Sequence, residues 1–209
     1  VAFDTETTSL DVKEAKILGI SFSYKSNHGF YCDLSKNEEL INLYQAFFSS
    51  NSLKIAHNLK YDYGILENYG IELNKNCFDT MIAHYLIEPE QRHNLDYLSR
   101  TVLKYAPIQI ETLIGSKTKP NKKMEEVEIT LLKDYAAEDA DITFQLYKKF
   151  SDKILALGLS KLFYDVEMPL VFVLNAMEKE GINIDVSSLK KFSEKLNLSL
   201  NTLKNSIHL

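Results

Sequence analysis

Three segments of this chain push carboxylates toward its interior. The opening segment, Val1 to Thr5, reads as a β-strand. Side chains alternate along a strand, so Ala2, Asp4 and Glu6 share one face while Val1, Phe3 and Thr5 share the other. Two carboxylates side by side at a strand end repel unless a cation sits between them. A solvated strand end fits the same spacing. The segment from Leu131 to Leu157 reads as a helix with an apolar stripe of Leu132, Tyr135, Ile142, Leu146 and Phe150. The position missing from that series is Asp139. A carboxylate on a core stripe costs several kcal/mol unless it is paired, hydrogen-bonded or bound to metal. Tyr135, four residues earlier, lies on the same face. In the helix from Leu59 to Tyr69 the face of Leu59, Leu66 and Tyr69 carries Asp62. Taken singly, Asp62 and Asp139 also fit a buried Asp satisfied by protein donors, and Asp62 fits a helix-start acid favoured by the dipole. Asp134, Glu138 and Asp141 fall off the stripe and read as solvated.

One shared cation site accounts for all of these carboxylates together. Asp4, Glu6, Asp62 and Asp139 are then expected to converge within a few ångströms. The candidates are all oxygen ligands, which selects hard cations such as Mg²⁺ or Mn²⁺ over Zn²⁺. Two such ions ~4 Å apart can hold both the attacking and the leaving oxygen of an in-line phosphoryl displacement.

The elements that must position these residues are legible in outline. Ile17 to Tyr24 and Gly29 to Leu34 read as two strands joined by a turn at Lys25 to His28. Glu38 to Phe48 reads as an amphipathic helix and Lys54 to Ala56 as a short strand. The helix from Leu59 stops at Gly70, and two more helices follow at Thr80 to Ile87 and Leu95 to Leu103. Pro107 to Lys123 reads as a break without periodicity. Strands first and helices after suggest an α/β domain with a mixed sheet. A seam is expected near Gly158, and Val186 to the end reads as a lysine-rich helix.

Composition narrows the function classes. The chain has 209 residues, 45% of them hydrophobic, which supports one ordinary domain and the start of a second. A net charge of −5 argues against broad wrapping of nucleic-acid phosphates but not against gripping a short end through metal ions. Cys32 and Cys77 make neither a disulfide framework nor a zinc site, which points to a reducing, cytoplasmic compartment. No apolar run reaches the ~18 residues of a membrane span, so no membrane partner is expected.

The motifs resemble a known family. Phe3-Asp4-Thr5-Glu6-Thr7 looks like the first exonuclease motif of the DEDD superfamily, and His57-Asn58-Leu59-Lys60-Tyr61-Asp62 like the second. Tyr135-Ala136-Ala137-Glu138-Asp139 looks like the third in its tyrosine-bearing version. In this order they resemble the proofreading 3′–5′ exonuclease domain of bacterial family A DNA polymerases, the DNA polymerase I type. Tyr69-Gly70-Ile71-Glu72-Leu73 and Asp79-Thr80-Met81 extend the likeness. Glu167-Met168-Pro169-Leu170, Met177-Glu178, Gly181-Ile182 and Asp185 resemble the start of that family's polymerase domain. A generic helical cap on the exonuclease core is the other reading of this tail. His57 stands where relatives often carry another polar residue.

The resemblance implies a ribonuclease H-like mixed β-sheet flanked by helices, with a C-terminal helical extension. It implies an exonuclease domain over 1–158 and the helical start of a truncated polymerase domain over 159–209. Carried over by motif, Asp4 bridges two divalent cations, Mg²⁺ or Mn²⁺; Glu6 and Asp139 complete the first site and Asp62 serves the second through water. Tyr135, with Glu6, orients the attacking water, and Leu10 and Asn58 meet the terminal nucleotides. Core Leu and helix-start Asn are the plain alternatives for those two. Lys117, Lys119, Lys122 and Lys123 are placed either to guide phosphates or to lie in a solvated loop. The implied activity is hydrolysis of the terminal phosphodiester of a single-stranded DNA 3′ end by a monomer that works beside the remainder of the polymerase chain. An exoribonuclease of the ribonuclease D type shares the three motifs, and a scaffold that has lost catalysis would be expected to have lost carboxylates.

Overall fold

The computed structural model describes residues 1–116 and 119–207. Five strands form one mixed sheet: β1 (Ala2–Thr7), β2 (Ile17–Lys25), β3 (His28–Asp33), β4 (Lys54–Ala56) and β5 (Cys77–Asp79), in the order β3-β2-β1-β4-β5. The first three are antiparallel neighbours, and β4 and β5 add on in parallel. β1 is therefore the central strand, which is why both of its faces are covered. Asn27 turns the β2–β3 hairpin at φ 65°, a left-handed conformation that Asn tolerates.

A 3₁₀ turn over Glu38–Tyr44 runs into α1 (Gln45–Ser49). Then come α2 (Leu59–Asn68), α3 (Thr80–Ile87), α4 (Leu95–Leu98) and α5 (Ile110–Ile114). A two-residue ribbon of β6 (Gly115–Ser116) and β7 (Lys119–Pro120) precedes the long α6 (Ile129–Ala156). The chain closes with α7 (Ser160–Leu162), α8 (Met168–Glu180) and α9 (Val186–Ile207).

α6 crosses β1 to β4 on the face that carries Asp4 and Glu6. Its buried stripe of Leu132, Ile142, Leu146, Phe150 and Ile154 follows the steps of three and four that the sequence shows. On the other face Phe3 meets Phe48 of α1 edge-on, with ring centroids 5.1 Å apart. Phe78, Phe150 and Phe163 are fully buried in the same core. Truncating one such ring to Ala costs about 3–5 kcal/mol.

The short elements depart from the sequence reading. β5 was not expected, because three residues are too few to display a period of two. Glu38 to Phe48 is not one helix; Asn37 caps a tight 3₁₀ turn by accepting from the Glu39 N–H at 3.2 Å, and α1 begins only at Gln45. α4 opens into a π turn over Ser99–Leu103, stitched where the Ser99 carbonyl accepts from the Tyr105 N–H (3.1 Å) and the Ser99 hydroxyl donates to the Tyr105 carbonyl (3.0 Å). The break at 107–123 contains α5 and the small ribbon.

The chain falls into two compact units, Val1–Asn175 and Ala176–Leu209. In the first unit α6 is followed by Gly158 at φ 70°, and the segment after it packs inward through Phe163, Met168 and Val171. Phe172 of α8 lies edge-on to Tyr63 of α2. The second unit holds α9, whose start is capped by Asp185 accepting from the Ser188 N–H at 2.9 Å. α9 carries an exposed apolar stripe of Leu189, Phe192, Leu196 and Leu203. Cys32 and Cys77 are free thiols. Among the described residues, no helix is long and apolar enough to cross a membrane.

Candidate active site

Asp4 and Glu6 stand on the same face of β1, and α6 lays Asp139 over them. One oxygen from each of the three lies within 4.8 Å of the others. Two glycines make room around these acids. Gly19 is the register partner of Glu6, and a Cβ there would fall 2.1 Å from the Tyr31 hydroxyl, so the Tyr31 ring occupies that space. Gly29 lies against α6 one short step from Asp139; a Cβ there would meet the Ala137 carbonyl at 2.2 Å. Gly29 thus lets β3 approach the helix that delivers the third carboxylate, while Gly19 makes room for the Tyr31 ring beside Glu6.

Asp62 arrives from a different direction. It sits in the first turn of α2, is 2% exposed, and gives one oxygen to Thr5: Oδ1 accepts the Thr5 N–H at 3.1 Å and the Thr5 hydroxyl at 2.6 Å. The structure thus brings Asp4, Glu6 and Asp139 together and sets Asp62 beside that trio, close enough for its charge to act on Asp4 and Glu6.

The electrostatics follow from packing four acids into one buried place. Burial pushes Asp4 up from the ordinary carboxylate range to about 7. Burial also holds Glu6, Asp62 and Asp139 well above that range, with the neighbouring carboxylates adding to the shift. The Thr5 bonds pull Asp62 back down, and a bond from Tyr135 does so for Asp139. Like charges held this way are the environment a cation relieves. The donor set is entirely carboxylate oxygen, which fits Mg²⁺ or Mn²⁺ and fits Zn²⁺ poorly.

Tyr135 completes the constellation. Its phenol lies beside Asp139 one helical turn on, and burial, then the charges of Asp139, Glu6 and Asp4, keep it firmly protonated. A cleft of about 240 Å³ opens beside Tyr135 and Asp139, walled by Asn94, Leu95, Asp96, Ile108 and Ile110.

Two acids expected to be merely solvated do structural work instead. Glu138 accepts from the Tyr105 hydroxyl at 2.7 Å and from the Ile108 N–H at 2.6 Å, which ties down the loop walling that cleft. Asp141 accepts from the Asn27 N–H at 2.7 Å and holds the β2–β3 turn to α6. Periodicity places a residue on a face but does not show which loops come to it. Asp134 is exposed, as expected, beside Lys133.

Leu10 is 93% exposed in the loop after β1, so it is not a core residue. That loop is tied to α2 by Tyr61, whose hydroxyl donates to the Ser9 carbonyl at 2.6 Å and also bonds Thr7. Asn58 is exposed at the head of α2 with φ 69°, and its side chain makes no capping bond. Asp79 does the capping. Its carboxylate accepts from the N–H groups of Asn58 (3.3 Å) and Leu59 (2.7 Å) at the start of α2, and from Met81 (2.7 Å) and Ile82 (3.2 Å) at the start of α3. Thr80 bonds His57 Nδ1 at 2.8 Å, and burial pushes His57 down to about 3, so it is neutral. Lys117 lies outside the described residues, and Lys123 pairs with Glu125 at 3.5 Å. Thr5, Tyr61 and Asp79 were not singled out for these roles. Of the three, only Asp79 left a local signal, an Asp immediately before an apolar helical run.

The chain spans 99% of its length in a match to DNA polymerase I of Borreliella burgdorferi at 35% identity, and covers 23% of that protein. It matches DNA polymerase I of Rhizobium leguminosarum at 32% identity over 100% of this chain and 23% of the relative. The chain is thus about a quarter the length of these relatives. In fold it resembles Brucella melitensis NrnC, with a TM-score of 0.69 at 19% identity, covering 88% of this chain and 89% of that one. It also resembles the polymerase Pol1 from M. smegmatis solved with DNA primer-template, with a TM-score of 0.70 at 19% identity, over 93% of this chain and 30% of that one. The 3′–5′ exonuclease family model of A-type DNA polymerases matches residues 1–155, where β1, α2 and α6 deliver the four carboxylates, and the chain belongs to that family.

Proposed function

We propose that this chain hydrolyses the terminal phosphodiester of a single-stranded DNA 3′ end and releases nucleoside monophosphates, as the proofreading part of a DNA polymerase I chain. The observation that carries this reading is the convergence of Asp4, Glu6 and Asp139 with Tyr135 beside a cleft at the surface. Asp4, Glu6 and Asp139 would hold one divalent cation, and Asp62 with Asp4 would serve a second. Bound there, the cations supply charge neutralisation at the scissile phosphate and a more acidic water. The protein groups do the rest. Glu6 and the Tyr135 phenol orient the attacking water, Asp139 anchors the phenol until substrate arrives, and exposed Leu10 and Asn58 meet the terminal nucleotides. We assign residues 1–158 to this activity and 159–209 to the helical start of the polymerase region, in a monomeric cytoplasmic protein.

The deciding experiment is a degradation ladder on 5′-labelled and 3′-labelled single-stranded DNA with Mg²⁺, run beside a matched RNA oligonucleotide. Progressive shortening of the 5′-labelled DNA with immediate release of the 3′ label is the expected result. Shortening of RNA in preference to DNA would replace this reading with an exoribonuclease, and loss of neither substrate would leave a scaffold.

A further inference from the structure

Thr5 occupies the position between Asp4 and Glu6 but belongs to the other face of β1, where it is buried. A central strand ordinarily commits its N–H groups to its neighbours. Here β1 outruns β4: the two pair at Ala2 and Ile55, and β4 ends at Ala56. Past that point the Thr5 N–H needs another acceptor, and α2 supplies Asp62. The strand thereby gives two donors, N–H and hydroxyl, to the single oxygen Oδ1 of Asp62 at 3.1 and 2.6 Å. With Oδ1 taken by these two donors, Oδ2 is the oxygen left for another partner, on a carboxylate that already feels the charge of Asp4.

We propose that Thr5 is the positioning residue for Asp62, pinning Oδ1 so that Oδ2 is presented to the cation shared with Asp4; this rests on the function proposed above. Hydrogen-bond partners of a ligating carboxylate fix its orientation, and their loss typically costs about 10- to 100-fold in metal affinity or activity. The Thr5 hydroxyl is committed to Asp62, on a buried residue whose side chain belongs to the face of β1 opposite Asp4 and Glu6. Its effect therefore passes entirely through Asp62.

Thr5→Val keeps the shape and removes the hydroxyl, whereas Thr5→Ser keeps the hydroxyl and removes a methyl group. In Thr5→Val, kcat on single-stranded DNA should fall about 10- to 100-fold with KM unchanged. Calorimetric titration with Mn²⁺ in the presence of dTMP should show the weaker of two binding events reduced by a similar factor. Thr5→Ser should stay near the parent in both measurements. A purely structural Thr5 gives the opposite order, with Ser lowering the melting temperature through its cavity and Val harmless. In an Asp62→Ala background Thr5→Val should change Mn²⁺ binding no further; an added loss there overturns the proposal. Should Thr5→Val fail to fold, Thr5→Ala carries the same comparison with Thr5→Ser. Thr5→Val matching the parent in kcat and Mn²⁺ binding sinks the positioning role alone. A parent that neither trims DNA nor binds Mn²⁺ sinks both this proposal and the function it rests on.

Discussion

Tyr135 and Asp139 stand one turn apart on α6, and the phenol of the first is close enough to the carboxylate of the second to draw that acid's pKa down against its burial. The same helix thus delivers a metal-ligand candidate and the phenol proposed to orient the attacking water. Removing only the hydroxyl separates the two roles. Tyr135→Phe should lower kcat by roughly 10²–10³, the usual cost of one positioned hydrogen-bonding group. Mn²⁺ binding should persist, because the carboxylates remain. Single-turnover cleavage and calorimetry on the same preparation check both halves; an unchanged rate would return Tyr135 to core packing.

Asp4→Ala and Asp139→Ala should each abolish cleavage while leaving helix content and the melting transition in place. Both remove an oxygen from the trio gathered within 4.8 Å. Circular dichroism beside the DNA ladder tests this. Near-parental cleavage by either variant would move the site elsewhere.

The raised pKa of Asp4 makes metal-free stability depend on pH. Burial lifts its folded value to about 7, above the ordinary carboxylate range it keeps when unfolded. Between those values the folded state binds more protons, so this group's contribution to stability falls as pH rises from about 4 to 7 and is fully lost above that. Asp4→Asn removes the titration. In chelator, the melting temperature of Asp4→Asn minus that of the parent should be small at pH 4.5 and grow to a positive plateau by pH 8. Excess Mg²⁺ should close the gap at pH 8 by stabilising the parent, since the cation binds only the folded cluster. A gap that is constant with pH would mean Asp4 titrates normally in the fold.

Asp79 is a buried acid with a different duty. It caps α2 and α3 together. Asp79→Ala should destabilise by about 2–4 kcal/mol, two caps at roughly 1–2 kcal/mol each. Urea unfolding measures it. A loss under about 0.5 kcal/mol, the low end for a single cap, would show that water satisfies those N–H groups instead.

The sequence by itself placed the acids on their faces. Alternation put Asp4 and Glu6 on one face of β1, and the helical period put Tyr135 and Asp139 on one stripe, because those relationships are fixed by backbone geometry within a single element. It also located β4, α2 and α3 to within a residue or two. The tertiary structure decided what each buried carboxylate meets. Asp62 and Asp79 are both buried, 2% exposed, and both are adjacent to helix starts. Four backbone N–H groups surround Asp79, whereas Asp62 rests on Thr5, 57 positions away, and feels the charge of Asp4. Glu138 and Asp141 likewise took partners from loops 30 and 114 positions distant. Period and propensity act over a few residues, but a hydrogen bond between layers depends on where β4 ends and how α6 crosses the sheet. Those are properties of the packed fold, and they separate an acid surrounded by backbone donors from one set among other carboxylates.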